Sequence, residues 1–362
     1  MTPEKLIQKI IEKIDTAPVL KLMDQGATVL NKGIKAITLG MWVTALVLPL
    51  VACDKKSTTQ RKPEPQAAAR IVEEDPDAQL SSKLGAYVDC FNTADGSTRA
   101  SADSYVSWIA DLDAGPTGKE SSVNVLGDVS AYHLETCTKA IPQATNAKPA
   151  LPALDAAATQ YLADLTALAP LVTQAHAYYS HEDYKDDGFA KAKQMHQPLM
   201  MAFGRFILSS DKYGAELGKE NDALSAAQIV EIEKNEGRHS AFYHLALIRQ
   251  AKLLAAPLSA ESFDVAEVSK AIDAYGALLD ESTKATVNEP GKPISWSLFQ
   301  SKAESFLKEG KDRMRRVRDK TPYSHGDQLL MKGDGSGGWM VEGSPMRLLR
   351  SYNELVDAGN RL

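Results

Sequence analysis

From Leu80 onward the large apolar residues recur every three or four positions, and no other feature limits so strongly what this chain can fold into. The stretch "LSSKLGAYVDCFN" sets Leu80, Leu84, Tyr87, Val88 and Phe91 on one helical face. A strand needs alternation with a period of two, because successive side chains point to opposite faces. Runs of β-branched residues bounded by turn residues are nearly absent. The sequence therefore predicts an all-α fold, an antiparallel bundle of long helices with short connections. No repeat at a fixed period is visible.

The punctuation sets the expected elements. "SADSYVSWIADLDAG" reads as a second helix, opened by Ser101 as a cap and closed at Gly115-Pro116, so that "AYHLETCTKAI" falls on a third. "LPALDAAATQYLADLTALAPLVTQAHAYYS" is an Ala/Leu-rich helix expected to bend at Pro170. The next, from "GFAKAKQMHQPLMM", is expected to be interrupted at Pro198. Another should start after a Ser225 cap and end at Pro257, and Ser344-Pro345 should open the last helix. The helical body covers residues 80–362, with a division expected near Asp222 between an early and a later half.

Ahead of this body lies a different kind of sequence. Ala36 to Ala52 is a run without charge, preceded by Lys32 and Lys35 and ended by Cys53. A positive segment, an apolar segment and small residues before a cut site are the marks of an export signal. Leu50-Val51-Ala52-Cys53 resembles the lipobox of bacterial lipoproteins. The resemblance implies diacylglycerol on the Cys53 sulfur, cleavage between Ala52 and Cys53, and acylation of the new N-terminus. One acyl chain holds a protein only marginally at a bilayer, and three hold it firmly. An uncleaved span is the alternative, but the run sits at the short limit for crossing, about 17 residues, and Pro49 fits a cleavage region better than a helix interior. Asp54, just after the cysteine, resembles an inner-membrane retention signal, so the chain is expected to face the periplasm, with a lean toward the inner membrane.

Residues 1–52 thus read as an export signal with an atypical N-terminal extension, "EKLIQKIIEKI" being amphipathic. Translation from Met23 and a real cytoplasmic extension both account for it. Residues 53–79 read as a lipidated flexible tether, rich in Lys, Glu, Pro, Gln and Ala and poor in large apolar residues. The part from Asp54 to Gln79 would span roughly 25–30 Å as a random coil.

Net charge is −6, and the six lysines and four acids of residues 1–52 leave −8 after cleavage. An acidic body argues against nucleic acid as a partner. With the helices in view, "KLGAYVDCFN", "YYSHEDYKDDGFAKAKQMH", "RRVRDKTPYS" and "GWMVEGSPMRLLRSYNELVD" resemble the YiiG-like bacterial lipoproteins. That resemblance implies a lipid-anchored envelope protein with a helical domain, and it brings no activity, ligand or catalytic residue. In an oxidising compartment Cys90 and Cys137 are expected to pair, two separate buried thiols being the alternative.

The polar clusters offer little chemistry. "HEDYKDDGFAKAKQMH" gathers His181, Glu182, Asp183, Asp186, Asp187 and His196, but an EF-hand begun at Asp183 would put Lys185 and Gln194 at ligand positions. It reads as a loop, with Asp186 or Asp187 capping the following helix. Glu236 and His239 are spaced as in a di-iron motif, but the spacing occurs once, and His239 and His244 do not share a face. "KDRMRRVRDK" reads as a solvated basic face at a helix C-terminus, or else as a contact for anionic headgroups. "KGDGSGGWMVEGSP" reads as a loop that Trp339 and Met340 pack onto the body, and Trp108, Trp296, Tyr178 and Tyr179 as core or edge residues. No catalytic residue, metal or cofactor is expected. The expected partners are the membrane, through the lipid anchor, and an envelope protein, in a noncatalytic interaction or structural role; a periplasmic module binding a small ligand or metal is the alternative.

Overall fold

The computed structural model describes residues 76–331 and 337–362. Among these the chain forms ten α-helices, one 3-10 turn and no strand, so the all-α reading holds. The helices are α1 (Pro76–Val106), α2 (Ala131–Asn146), α3 (Pro152–Ser180), α4 (Tyr184–Asp187), α5 (Ala190–Asn235), α6 (Ser240–Ser259), α7 (Val265–Ala285), α8 (Trp296–Arg318), α9 (His325–Met331) and α10 (Pro345–Gly359). The 3-10 turn is Gly338–Met340.

Two apolar cores follow from the periodicity. The first joins Tyr87 and Phe91 of α1, Cys137 and Ile141 of α2, Tyr161 and Leu165 of α3, and Phe203, Phe206 and Tyr213 of α5. The second joins Leu247 and Leu254 of α6, Ile272 and Tyr275 of α7, Phe299 and Phe306 of α8, and Tyr352 and Leu355 of α10. Helix α5 serves both. It buries residues as far as Leu224 in the first core, while Ile229 and Ile232 pack on the second. Its 46 residues make a rod roughly 70 Å long at 1.5 Å per residue.

Three expected boundaries are overturned. Helix α1 runs through Ser101 to Val106, so Ser101 is no cap and Cys137 lies on the second helix. The small polar stretch "NTADGSTRASADS" resembles a linker, but it buries Ala94, Asp95, Thr98, Ser101 and Ala102, and Ser101 Oγ donates to the Gly127 carbonyl across the bundle. Helix α5 passes through Pro198, which removes one backbone bond, while Leu199, Met200, Ala202 and Phe203 beside it are buried and hold the helix in place. Ser225 lies inside α5 and donates back to the Asn221 carbonyl. The break comes at Gly237 instead. There φ is 83°, and the backbone N–H reaches the Ile232 and Glu233 carbonyls, a left-handed helix end suited to glycine. Ser344 does cap α10, accepting from the Arg347 backbone, with Pro345 in the first turn.

Candidate functional site

Cys90 and Cys137 are joined by a disulfide that ties α1 to α2, their Cα atoms 4.7 Å apart across 47 residues. Two turns earlier on α1, Lys83 is buried although it is a lysine, and its ammonium reaches the Ala147 carbonyl at 3.1 Å, the Pro149 carbonyl at 2.9 Å and both oxygens of Asp155. Ala147 closes α2, so Lys83 sits where free carbonyls and the negative helix end favour a cation. Asp155 also accepts from the Leu151 backbone and from the Tyr87 hydroxyl at 2.6 Å. Burial and that carboxylate together push the Tyr87 phenol up. Every polar atom here fixes the α2–α3 connection against α1.

Farther along α1, Asp95 and Arg99 form a buried pair one turn apart, Nε to Oδ2 at 3.0 Å. The guanidinium extends to Ser210 and, at 2.7 Å, to Asp211 of α5, and the Ser210 hydroxyl donates to Asp95. Burial pushes the Asp95 carboxyl up, opposed by Arg99 and by the Ser210 hydroxyl. The Tyr161 hydroxyl is buried nearby with no protein partner. A carboxylate already committed to a guanidinium and a hydroxyl is poorly placed to act as a base.

The histidine- and acid-rich stretch forms the corner between α3 and α5. His181 ends α3, exposed; Glu182, at φ 60°, pairs with Lys185; Asp183 precedes α4 and Asp186 lies within it. Asp187 accepts from the Tyr178 hydroxyl at 2.8 Å and from the Lys191 backbone at 3.0 Å, so the expected capping falls to Asp187. His196 leaves the group altogether. It is buried on α5, with Nδ1 2.9 Å from the Tyr105 hydroxyl and Nε2 2.7 Å from the Leu112 carbonyl. Burial lowers its pKa, chiefly against the Leu112 bond. Around it Tyr105, Trp108, Tyr179, Tyr184 and Phe189 pack ring on ring at centroid distances from 4.9 to 6.5 Å. The rings touch one another, as a latch does, and Trp108, Tyr178 and Tyr179 are core residues.

Glu236 and His239 do not share a helix: Glu236 closes α5 and His239 precedes α6. His244 is deeply buried in the second core, edge-on to Phe299 at 5.3 Å, with Nε2 unpartnered. Among the described residues no group of three or more His, Cys, Asp or Glu side chains gathers as metal ligands do.

The basic run is only partly a solvated face. Arg313 is buried, donating from Nε to the Leu258 carbonyl at 3.1 Å and from Nη2 to the Ala260 carbonyl at 2.8 Å, at the end of α6. The same guanidinium reaches Tyr323 Oη at 3.2 Å, and Tyr323 donates to the Gly343 carbonyl. Arg316 covers the Tyr323 ring at 4.4 Å and donates to the Glu342 carbonyl. Sequence reading missed this hub. The signal was present, because Arg313 continues the stripe of Phe299, Ala303, Phe306 and Gly310 on α8. The expected role of Trp339 and Met340 is also corrected. They are exposed, and the turn is held by buried Val341 and by the Ser344 hydroxyl on the Gly338 carbonyl. Trp339 instead carries Arg350 on its face at 3.9 Å.

Ala52 and Cys53 lie outside the described residues. The model of a family described as a protein of unknown function (DUF3829) matches residues 78–361. The chain is 32% identical over 303 residues to the uncharacterized protein YiiG of Escherichia coli (strain K12), covering 84% of each chain. No solved structure matches. The resemblance read from the four stretches is thereby borne out, and neither match indicates an enzymatic family.

Proposed function

The chain belongs to the DUF3829 family of proteins of unknown function, and on that footing we propose that it is a lipid-anchored protein of the cell envelope with a noncatalytic, structural or partner-holding role. The observation that carries this reading is the Leu50-Val51-Ala52-Cys53 run placed after an apolar segment and before a polar stretch. Cleavage before Cys53 would leave the helical body facing the periplasm, the inner membrane somewhat favoured by Asp54. The body supports a noncatalytic role, because its buried ions join helices. Lys83 holds the α2–α3 connection, Asp95 and Arg99 hold α1 to α5, and Arg313 holds the end of α6. The disulfide suits an oxidising compartment. The partners proposed are the membrane and an envelope protein, with no nucleic acid, since the chain is acidic overall.

Metabolic labelling with a fatty-acid analogue is the test. The wild-type chain should be labelled, and Cys53→Ser should be unlabelled and retained as precursor. A wild-type chain left unlabelled, in cells that label other lipoproteins, refutes the anchor. Crosslinking in intact envelopes followed by pull-down then tests the role. A single stoichiometric protein partner supports it, and a co-purifying metabolite with substrate-like turnover overturns it.

A further inference from the structure

The C-terminal corner exposes four large apolar side chains within a basic stretch. Leu329 and Leu330 of α9 are 59% and 40% exposed, and Trp339 and Met340 of the 3-10 turn are 42% and 48% exposed. They form one patch. Gly337, two residues before Trp339, lies so close to the Leu330 carbonyl that a Cβ there would meet it at 2.8 Å, and Arg350 stacks on the Trp339 ring. The inner side is fixed by Arg313, Arg316 and Tyr323, so the patch is presented on a braced platform. Residues 308–331 and 337–350 carry nine Lys and Arg against five Asp and Glu, whereas the whole chain has 41 against 47. Four of the cations, Arg315, Arg318, Lys320 and Arg350, are exposed or half-exposed there, three of them with carboxylate neighbours in Asp312, Asp319 and Glu354.

A tryptophan, two leucines and a methionine in a basic stretch, with Arg350 lying on the tryptophan ring, are residues of the kind that settle at a bilayer interface, rings and apolar side chains at the headgroup boundary and cations at the phosphates. We propose that this corner docks the helical body on an anionic lipid surface, the membrane in which Cys53 would be anchored. The inference rests on the anchored reading and adds an orientation to it. The acidic remainder of the body is repelled by the same lipids that attract the corner, so charge alone turns Trp339 toward the bilayer.

The test uses the full chain carrying Trp42→Phe. Of the tryptophans described, Trp108 and Trp296 are then buried and Trp339 is exposed. The probes are vesicles with brominated acyl chains, of phosphatidylcholine alone or enriched in phosphatidylglycerol. The apolar run before Cys53 brings the chain to both, and the lysines ahead of it favour the anionic vesicles by themselves, so the corner is read from the effect of its own substitutions on the quenching. Quenching is expected with the anionic vesicles, lost on adding Trp339→Ala. It should need about tenfold more lipid when Arg315, Arg318 and Lys320 are changed to Gln, a figure discounted for their carboxylate neighbours. Quenching that is absent, or equal in both vesicle types and indifferent to salt, overturns the proposal. So does an emission change that follows protein concentration without vesicles, which would assign the patch to a second copy. Labelling of Cys53 is read separately: a labelled chain whose Trp339 stays unquenched refutes the docking and leaves the anchor standing.

Discussion

Acidification should loosen the second core through His244. Burial drives its pKa from the ordinary 6.5 down to about 4, and no opposing influence offsets it. Its Nε2 has no partner, and the nearest ring is that of Phe299, which offers a charged imidazole no carboxylate. A histidine lowered on folding binds its proton more readily in the unfolded chain, so its contribution to stability is complete above 6.5 and is lost as the pH falls toward 4. Between pH 7.5 and pH 4.5 the loss comes to about 2.5 kcal/mol. Other groups titrate in this window with both signs. The Asp95 carboxyl, raised on folding, gains stability as the pH falls, and Asp187, Glu281 and Glu354, lowered on folding, lose it. The measurement is therefore a difference: urea unfolding at both pH values for the wild type, His244→Leu and His244→Gln. Both variants should lack about 2.5 kcal/mol of the wild-type acid response, whatever their stability at pH 7.5. A wild-type response matching both variants within about 0.5 kcal/mol would refute the assignment of a buried, neutral His244.

Changing Arg313 to Met should lower stability by about 3 kcal/mol in urea titrations, since the Leu258 and Ala260 carbonyls lose a buried donor. Asp95→Asn should cost a similar amount, about 3 kcal/mol, by leaving the Arg99 charge buried with less compensation, and the loss should shrink when Arg99→Met is added. Cys90→Ser with Cys137→Ser should lower stability by about 4 kcal/mol, from the entropy of a 47-residue loop. Alkylation of the wild type without reductant should leave both thiols unmodified, and labelling of both would contradict the bond. Gly237→Ala should destabilise by about 1 kcal/mol in the same assay, because φ is 83° there.

Helices were legible wherever an apolar stripe repeats, and boundaries were legible where a proline or glycine coincides with the end of a stripe, as at Ser344-Pro345. The errors share one cause. Ser101 was read as a cap opening a new helix, yet Asp95, Thr98 and Ser101 continue the stripe of Tyr87, Val88, Phe91 and Ala94. Ser210, the partner of Asp95, lies 115 residues away, and Gly127, the partner of Ser101, lies 26 away; local sequence carries no record of such pairings. Lys83 and Arg313 were hidden in the same way. Each falls on a buried stripe, but its ligands are backbone carbonyls, which every residue possesses. The disulfide was expected from the proposed compartment and from the two cysteines left once Cys53 is set aside. The Trp339 surface was not, because an exposed and a packed tryptophan look alike in a loop of glycines.

The continuity of α5 constrains how this molecule can be cut apart. A border at Asp222 falls in mid-helix, and its two products would each bear a frayed stub with its neighbours missing. A border at Gly237 respects the hydrogen bonds but deprives the later piece of Ile229 and Ile232, leaving bare the apolar floor they cover. Neither scission yields two self-sufficient parcels, so anything that wrenches one half should be felt in the other along a single shared beam.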